Sequence, residues 1–577
     1  MSTAPPLVPW RDAVIYQIYP RSFQDSDGDG VGDLNGIRRR LPELERLGVD
    51  YLWLSPVYAS PGVDNGYDVS DYYAIDPLMG TLEDMDALIA EARERGIGIV
   101  MDLILNHTSD QHAWFQESRD PASPRRNWYH WCPSPPGQAP NNWTGFFGGG
   151  CWTRDDGPGG SGDSYLHLFA PGQPDLNWAE PAVFDTFVDI IRFWTDRGVA
   201  GFRLDVINVL WKDSLADGRR SLILTGSEHY LSRPHLHTLL QQLRRQAFAP
   251  AGAFTVGETV FVDLPAARQL TAPEREELDM VFPFEHMESD QIIVKWITRP
   301  FHPRRLFAAL RRWQENLDWN AVYLENHDQP RLVPRFGDAR RYPVQSATLY
   351  AVLLLTLRGT PFIYQGQELG LLGRDWESLD ELQDVESHQV YGVMRSLRFP
   401  ARLAWFLIRL KSRDNARQPY PWSAEHEGGF TSGRPWLRLH RAYREHNYAA
   451  QAGRPGSVLE QYRLLLELRR LLPVLREGSF RSLYQTGRLF VYERRTAGPP
   501  AARVIVALNA GSRPLAFHRS LVRRLPDHLH VIYSNYDGEG GTVDRIKQEE
   551  AGLFTANADG RHLFAWRLRP WEAVILA

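Results

Sequence analysis

Cysteine is nearly missing from this 577-residue chain. Cys132 and Cys151 are the only two, too few for a disulfide framework and able to form one bridge at most. Both are expected as free, buried thiols. Long apolar runs are missing as well: the most apolar stretch, Tyr350 to Thr356, falls far short of the roughly 20 residues that span a bilayer. Nor does one sign of charge dominate. Lys and Arg number 65 against 70 Asp and Glu, with no long basic run, which gives no reason to expect a nucleic-acid or anionic-membrane partner. The opening residues, MSTAPPLVPWRDAVIYQIYP, hold no basic segment followed by an apolar one, so no secretory signal is read there and a cytoplasmic location is expected. At 43 % hydrophobic and 23 % charged, the composition is that of a folded protein and argues against extensive disorder.

Aromatic residues are plentiful, at 12 % with 19 Trp. Flat rings fill cores, and they also suit ligands with apolar faces such as sugars. Eight apolar runs read as strands: Val14–Pro20, Val49–Tyr58, Gly98–His107, Ala200–Val206, Ala253–Thr259, Met280–Glu285, Ala321–His327 and Gly359–Glu368. Helical spacing separates most of them, as over Ile37–Gly48 and Leu82–Gly96. Strands that are apolar throughout suit a parallel sheet covered on both faces, and eight in order predict an α/β protein built on a (β/α)₈ barrel. The barrel is assigned to residues 1–106 and 178–476. A Trp-, Gly- and Pro-rich segment, 107–177, reads as an inserted subdomain, and a polar insertion follows the eighth strand at about 369–455. After a helix over Val458–Leu471, short β-like runs predict a C-terminal antiparallel β-sandwich domain over 477–577.

Barrel active sites gather at the C-terminal ends of the strands. The third strand ends in Asn106-His107, the fourth carries Arg203 and Asp205, the fifth ends in Glu258 and the seventh in His327-Asp328. One acid at a strand end is often a helix cap. Two histidines, an arginine and three carboxylates converging on one rim repel one another and lose hydration, which is expected at a site and not in a core. Paired carboxylates are what glycoside hydrolysis requires: one attacks the anomeric carbon or activates water, and the other, with its pKa raised by burial and a neighbouring charge, protonates the departing oxygen. An arginine two residues before the attacking carboxylate keeps it ionised.

The segments DLILNH (Asp102–His107), QPDLN (Gln173–Asn177), GFRLDVIN (Gly201–Asn208), VGET (Val256–Thr259) and ENHDQPR (Glu325–Arg331) resemble, in content and order, the α-amylase family of retaining glycoside hydrolases (glycoside hydrolase family 13). GYDVSDY (Gly66–Tyr72), YQGQELG (Tyr364–Gly370) and KSRDNARQP extend the likeness, which is strongest to the branch holding oligo-1,6-glucosidases, dextran glucosidases and trehalose-6-phosphate hydrolases. The resemblance implies Asp205 as nucleophile, Glu258 as general acid/base and Asp328 as the transition-state stabiliser. It puts Arg203, His107 and His327 around the non-reducing glucose, Tyr67 beneath it as a stacking platform and Asp68 on its far hydroxyls. Arg413 and Arg417 would close the pocket beside Asp68, making the enzyme exo-acting. Val206, directly after the nucleophile, resembles α-1,6-cleaving members. Pro283, and the apolar side chains in GETVFVDLP, depart from the branch's pattern.

The loop DSDGDGVGD offers oxygens at Asp25, Asp27, Asp29 and Asp33, a backbone carbonyl at Val31 and a tight turn at Gly30. This follows the first part of a Ca²⁺ loop, although Gly36 stands where an EF-hand needs its bidentate Glu. In the resembling glucosidases this loop holds one Ca²⁺ or Mg²⁺ far from the catalytic site. A structural Ca²⁺ is therefore expected here, with Mg²⁺ as the alternative and no organic cofactor. The expected activity is retaining release of terminal α-1,6-linked glucose from small oligosaccharides. The alternatives are α-1,4 maltosides, sucrose, isomaltulose or trehalose 6-phosphate as substrate, or transfer to a sugar acceptor. A non-catalytic partner role of the fold is the remote alternative, disfavoured because the carboxylates are retained. No nucleic acid, membrane or obligate protein partner is expected.

Overall fold

The computed structural model describes residues 4–517, 529–536 and 566–577, apart from residues 293, 374–375 and 499–501. Eight short strands form one parallel sheet: β1 (Ile15–Ile18), β2 (Tyr51–Leu54), β3 (Gly98–Ile104), β4 (Gly201–Asp205), β5 (Phe254–Glu258), β6 (Met280–Phe282), β7 (Ala321–Tyr323) and β8 (Thr360–Tyr364). Their spatial order is β6-β5-β4-β3-β2-β1-β8-β7, the sequential order of a (β/α)₈ barrel opened at one seam. At that seam the Tyr323 hydroxyl donates to the Pro283 carbonyl at 3.0 Å, and His286 Nε2 lies 2.8 Å from the Tyr323 carbonyl. Every residue of these strands is buried, as expected where the barrel interior and the outer helices cover both faces. All eight expected strands are found, each shorter than its apolar run.

Helix α1 (Leu82–Glu94) begins with a reciprocal capping box between Thr81 and Asp84. The helix expected over 37–48 is instead two, Leu34–Arg39 and Leu41–Leu47. Pro42 cannot donate to the preceding turn, so the axis breaks at Arg40, and Gly48, at φ 93°, ends the second helix in the left-handed conformation. Helices α2 (Pro181–Asp196) and α3 (Pro343–Thr356) cover the barrel. The apolar stretch Tyr350–Thr356 belongs to α3, and no helix among the described residues is long and apolar enough to cross a membrane.

The segment after β3 carries a small antiparallel sheet of Trp131–Cys132, Ser164–Leu166 and Trp152–Arg154. Both cysteines are free. Cys151 is buried as expected, whereas Cys132 is only half-buried. The segment after β8 is less polar than expected. It contains helices α4 (Val385–Ser396) and α5 (Ala401–Lys411), which pack Met394, Ala404 and Ile408 against Trp296, Trp376 and Leu437.

Helix α6 (Val458–Leu471) leads to an antiparallel sheet whose order is Ser479–Thr486, Leu489–Arg495, Arg503–Asn509, Ala573–Leu576, Val531–Ser534. Side chains alternate across a strand. Phe490, Tyr492, Val504 and Val506 therefore join the barrel's core, while Leu489, Val491, Ile505 and Val574 form a separate core on the other face. Parts of the expected C-terminal domain, 518–528 and 537–565, lie outside the described residues.

Candidate active site

The rim expected from the strand ends assembles around one guanidinium. Arg203, on β4, is 2 % exposed. Its Nη1 donates to Asp102 Oδ1 at 2.6 Å and Asp205 Oδ1 at 2.5 Å, and its Nη2 lies 2.6 Å from Glu258 Oε2. A residue and its neighbour two places on share one face of a strand, so Arg203 and Asp205 point the same way, and β3 and β5, on either side of β4, deliver Asp102 and Glu258 to it. Asp205 and Glu258 are thus separated by no more than one guanidinium and two hydrogen bonds.

Three buried carboxylates around one cation cannot all ionise at no cost. Burial pushes Glu258 up to about 7; Arg203 opposes this, and Asp205 and Asp328 add to it. Burial raises Asp205 to about 6 against the pull of Arg203. Asp328 goes the other way: burial works to raise it, but His327, Arg413 and Arg417 hold it well below the usual carboxylate range. The site therefore contains an acid that keeps its proton near neutrality beside acids that lose theirs more readily.

After Asp205 the backbone turns sharply. Val206 adopts φ 35°, a left-handed conformation unfavourable for a β-branched residue, and its N–H points at Glu258 Oε2, 3.3 Å away. Its side chain packs with Trp143, Leu166 and Tyr230 of the inserted segment and its surroundings.

His327 is held from both sides, with Gln17 Nε2 2.8 Å from Nδ1 and the Tyr67 hydroxyl 2.7 Å from Nε2. Asp328 Oδ2 is 3.0 Å from the same Nε2. Donation by the Gln17 amide to Nδ1 leaves the neutral ring its proton at Nε2, directed at Asp328 and Tyr67. The Tyr67 and His327 rings lie parallel, 5.3 Å apart, and the Tyr67 hydroxyl also donates to Asp102 at 3.1 Å. His107 sits 3.0 Å from the Tyr67 carbonyl and 3.1 Å from Gln173 Nε2, with its ring 5.2 Å from that of Phe169.

Two expected placements change. Asp68 does not face the pocket: its carboxylate accepts the N–H groups of Val63 and Asp64 at 2.7 and 2.8 Å, holding the turn that carries Tyr67. The carboxylate beside Arg413 is Asp64, 2.7 Å from Nη2, while Arg413 Nε donates to Asp384 at 2.8 Å. Arg417 is fully buried and does not close the pocket. It donates to the His327 carbonyl at 3.0 Å and to Asp328 at 2.9 Å, and so acts through Asp328. Asp64, Asp102, Gln17 and Asp384 were not singled out from the sequence. Asp102 does stand inside a quoted motif, DLILNH, and Asp64 two residues before another, GYDVSDY, so the only signal available was their position beside residues already chosen.

In the loop between β1 and β2, Asp25, Asp27 and Asp29 bring carboxylate oxygens within 4.8 Å of one another. Asp33 stands outside that group: its carboxylate accepts the Ser26 and Gly36 N–H groups at 2.6 and 2.7 Å and caps the helix that begins at Leu34. Asp25 accepts three backbone N–H groups, from Asp27, Gly28 and Gly30. Burial tends to raise its pKa, but the Thr431 hydroxyl and these amides outweigh it and keep Asp25 ionised. The residues thus suit a hard divalent cation.

The family described as "Alpha amylase, catalytic domain" matches residues 17–478. An oligo-1,6-glucosidase of Halalkalibacterium halodurans is 41 % identical over 574 residues, covering 98 % of both chains. A trehalose-6-phosphate hydrolase of Escherichia coli is 41 % identical over 500 residues, 85 % of this chain and 89 % of its own length. Among solved structures, an isomaltulose synthase of Erwinia rhapontici with D-glucose superposes with a TM-score of 0.90 at 35 % identity, over 100 % of this chain and 99 % of that one. With the carboxylates gathered at the rim of an eight-stranded barrel and likeness of this extent, the chain belongs to the alpha-amylase family and is a glycoside hydrolase.

Proposed function

We propose that this protein is a retaining, exo-acting α-glucosidase that releases terminal α-1,6-linked glucose from short oligosaccharides. The observation that carries the reading is the single guanidinium of Arg203 shared by Asp205 and Glu258, since a retaining mechanism needs two acids close together with their pKa values set apart. Asp205 attacks the anomeric carbon while Glu258 passes its proton to the glycosidic oxygen, which leaves as an alcohol. The resulting β-glucosyl ester on Asp205 is then opened by water, whose proton returns to Glu258, and α-glucose departs. Asp328, held ionised, accepts hydrogen bonds from ring hydroxyls, and its ionised form favours the positive charge that develops on the ring. Asp64 and Arg413 offer an acceptor and donors at the far end of the pocket, which favours a chain terminus over a chain interior.

The linkage reading rests on Val206, which directly follows Asp205 and whose N–H points at Glu258 Oε2. A neutral acceptor is favoured over a phosphorylated one, because Lys295, joined to the Arg413 cluster through Glu386, is spent on that carboxylate, its Nζ 2.5 Å from Oε2. Initial rates on isomaltose, maltose, sucrose, isomaltulose and trehalose 6-phosphate, measured side by side, test the proposal. Isomaltose is expected to have the highest kcat/KM. A clear preference for maltose or trehalose 6-phosphate would discard the linkage or the acceptor argument and leave the catalytic assignment standing.

The loop at Asp25–Asp29 is proposed to hold a structural Ca²⁺, with Asp25, Asp27, Asp29 and the Val31 carbonyl as its ligands and Asp33 bracing the loop. A hard cation supplies there the charge that three neighbouring carboxylates lack.

A further inference from the structure

Residues 387–413 contain six Lys and Arg and no Asp or Glu, in a chain whose formal net charge is −5. Helices α4 and α5 form a hairpin over this stretch. Its inner side is accounted for: Met394, Ala404 and Ile408 join the cluster around Trp296 and Trp376, and the inward cations find carboxylates, Lys411 at Asp290 (2.8 Å) and Arg413 at Asp384 and Asp64.

The outer side is different. Leu403, Phe406 and Leu410 are spaced i, i+3, i+7 on one face of α5 and are 44, 48 and 42 % exposed, with Leu397, at the turn between the helices, 66 % exposed. These are four of the twelve large hydrophobic side chains exposed among the described residues, gathered into fourteen residues of sequence. A helix apolar on this much of its circumference is ordinarily buried, and a concentrated exposed patch of this kind marks an interaction surface. Arg395, Arg398 and Arg402 are exposed around the patch, and none of them forms an ion pair with a described carboxylate. Arg398, at the turn, holds φ 65°, a left-handed conformation that a long side chain adopts only at a cost.

We propose that this face docks on an anionic lipid surface, with Leu397, Leu403, Phe406 and Leu410 entering the headgroup boundary and Arg395, Arg398 and Arg402 meeting lipid phosphates. A bulky apolar face of an exposed helix bordered by basic residues is the signature of interfacial binding. A second copy of the chain fits less well, since a two-fold contact through this face brings two sets of these arginines together and 387–413 holds no carboxylate to separate them. Whole-chain charge balance gave no hint of such a partner, because the arginines alternate with apolar residues and never form a run. The hairpin is rooted at the pocket: α4 begins one residue after Asp384, α5 ends two before Arg413, and Asp384 accepts from Arg413. A docked hairpin therefore keeps the pocket beside the surface.

Flotation of the full chain with vesicles tests this, using phosphatidylcholine alone and phosphatidylcholine with 40 % phosphatidylglycerol, each at 50 and 500 mM NaCl. Binding is expected on the anionic vesicles only, and at least tenfold weaker at the higher salt. Joint replacement Phe406→Asp and Leu410→Asp is expected to weaken it at least tenfold, and Arg398→Ala or Arg402→Ala about fivefold each. Hydrolysis of a soluble chromogenic α-glucoside and the Tm should stay unchanged, which shows that the variants are folded. No binding to anionic vesicles, equal binding to neutral ones, or binding that survives the double replacement overturns the proposal. So does a dimer in sedimentation that Phe406→Asp dissociates, or capture by polyglutamate without capture by vesicles, since these assign the face to a second copy or to an acidic protein.

Discussion

Two clusters of three carboxylates in this molecule solve the same electrostatic problem in opposite ways. At the rim, Asp102, Asp205 and Glu258 surround a guanidinium that the chain supplies itself. In the loop, Asp25, Asp27 and Asp29 converge where the described residues supply backbone amides and a hydroxyl but no side-chain cation in an ion pair. The rim is buried and the loop is more open: Asp27 and Asp29 are exposed, and only Asp25 is buried. In the rim, two surplus negative charges cannot be hydrated, so at least one proton stays bound, and Glu258, raised to about 7, keeps it. Water and an ion from solution can balance the loop. Burial with an internal cation produces an acid poised to react; exposure without one leaves the charge to water and to ions from solution.

The largest effect expected from breaking the rim comes from Asp205→Asn. The amide cannot form the glucosyl ester, so kcat on a chromogenic α-glucoside should fall by roughly 10⁴-fold or more. An unchanged rate would remove the mechanism. Glu258→Gln probes the retained proton. In the folded chain Glu258 binds its proton near pH 7, against a usual value of 4.5. Folding therefore favours the protonated form, and stability is lost as pH rises from about 4.5 through 7. The glutamine variant does not titrate, so at pH 8 it should be more stable than the parent by roughly 1–3 kcal/mol, while at pH 4 the difference should vanish. Urea unfolding at the two pH values measures this, and a gain at pH 4 equal to that at pH 8 would contradict the retained proton. In the parent enzyme kcat/KM should rise through about pH 6 as Asp205 ionises and fall through about pH 7 as Glu258 loses its proton.

The rim was more legible in the sequence than the residues behind it. Parallel barrel strands are apolar throughout and end in polar residues, so Arg203, Asp205, Glu258 and His327 announce themselves by position alone. Asp64 and Asp68 do not. They are four residues apart in one turn, and which of them faces the pocket depends on where the amides of Val63 and Asp64 point, which spacing does not encode. Arg417 shows the same limit, since its destination under Asp328 is set by packing between segments 89 residues apart. The break at Arg40 was readable from Pro42, yet the apolar period runs across it and hides it. In the hairpin after β8, polar residues between the apolar ones disguised two helices as a loop.

The loop offers the gentler test. If a divalent cation balances Asp25, Asp27 and Asp29, it binds the folded chain alone, and a chelator should lower the Tm by a few degrees, with recovery on adding Ca²⁺. The rate constant at low temperature should not change, because the loop shares no residue with the rim. A chelator that abolished activity without moving the Tm would instead place the metal's role in the chemistry. Asp33→Ala separates bracing from coordination at the smallest scale. Removing a helix cap costs about 1 kcal/mol whether or not metal is present, whereas removing a ligand costs stability only in its presence. Asp33 caps its helix through Gly36 and also accepts from Ser26, so the variant's loss of Tm should persist undiminished in excess chelator. A loss that appears only with Ca²⁺ added would return Asp33 to the set of ligands and show that its oxygens serve amides and metal together.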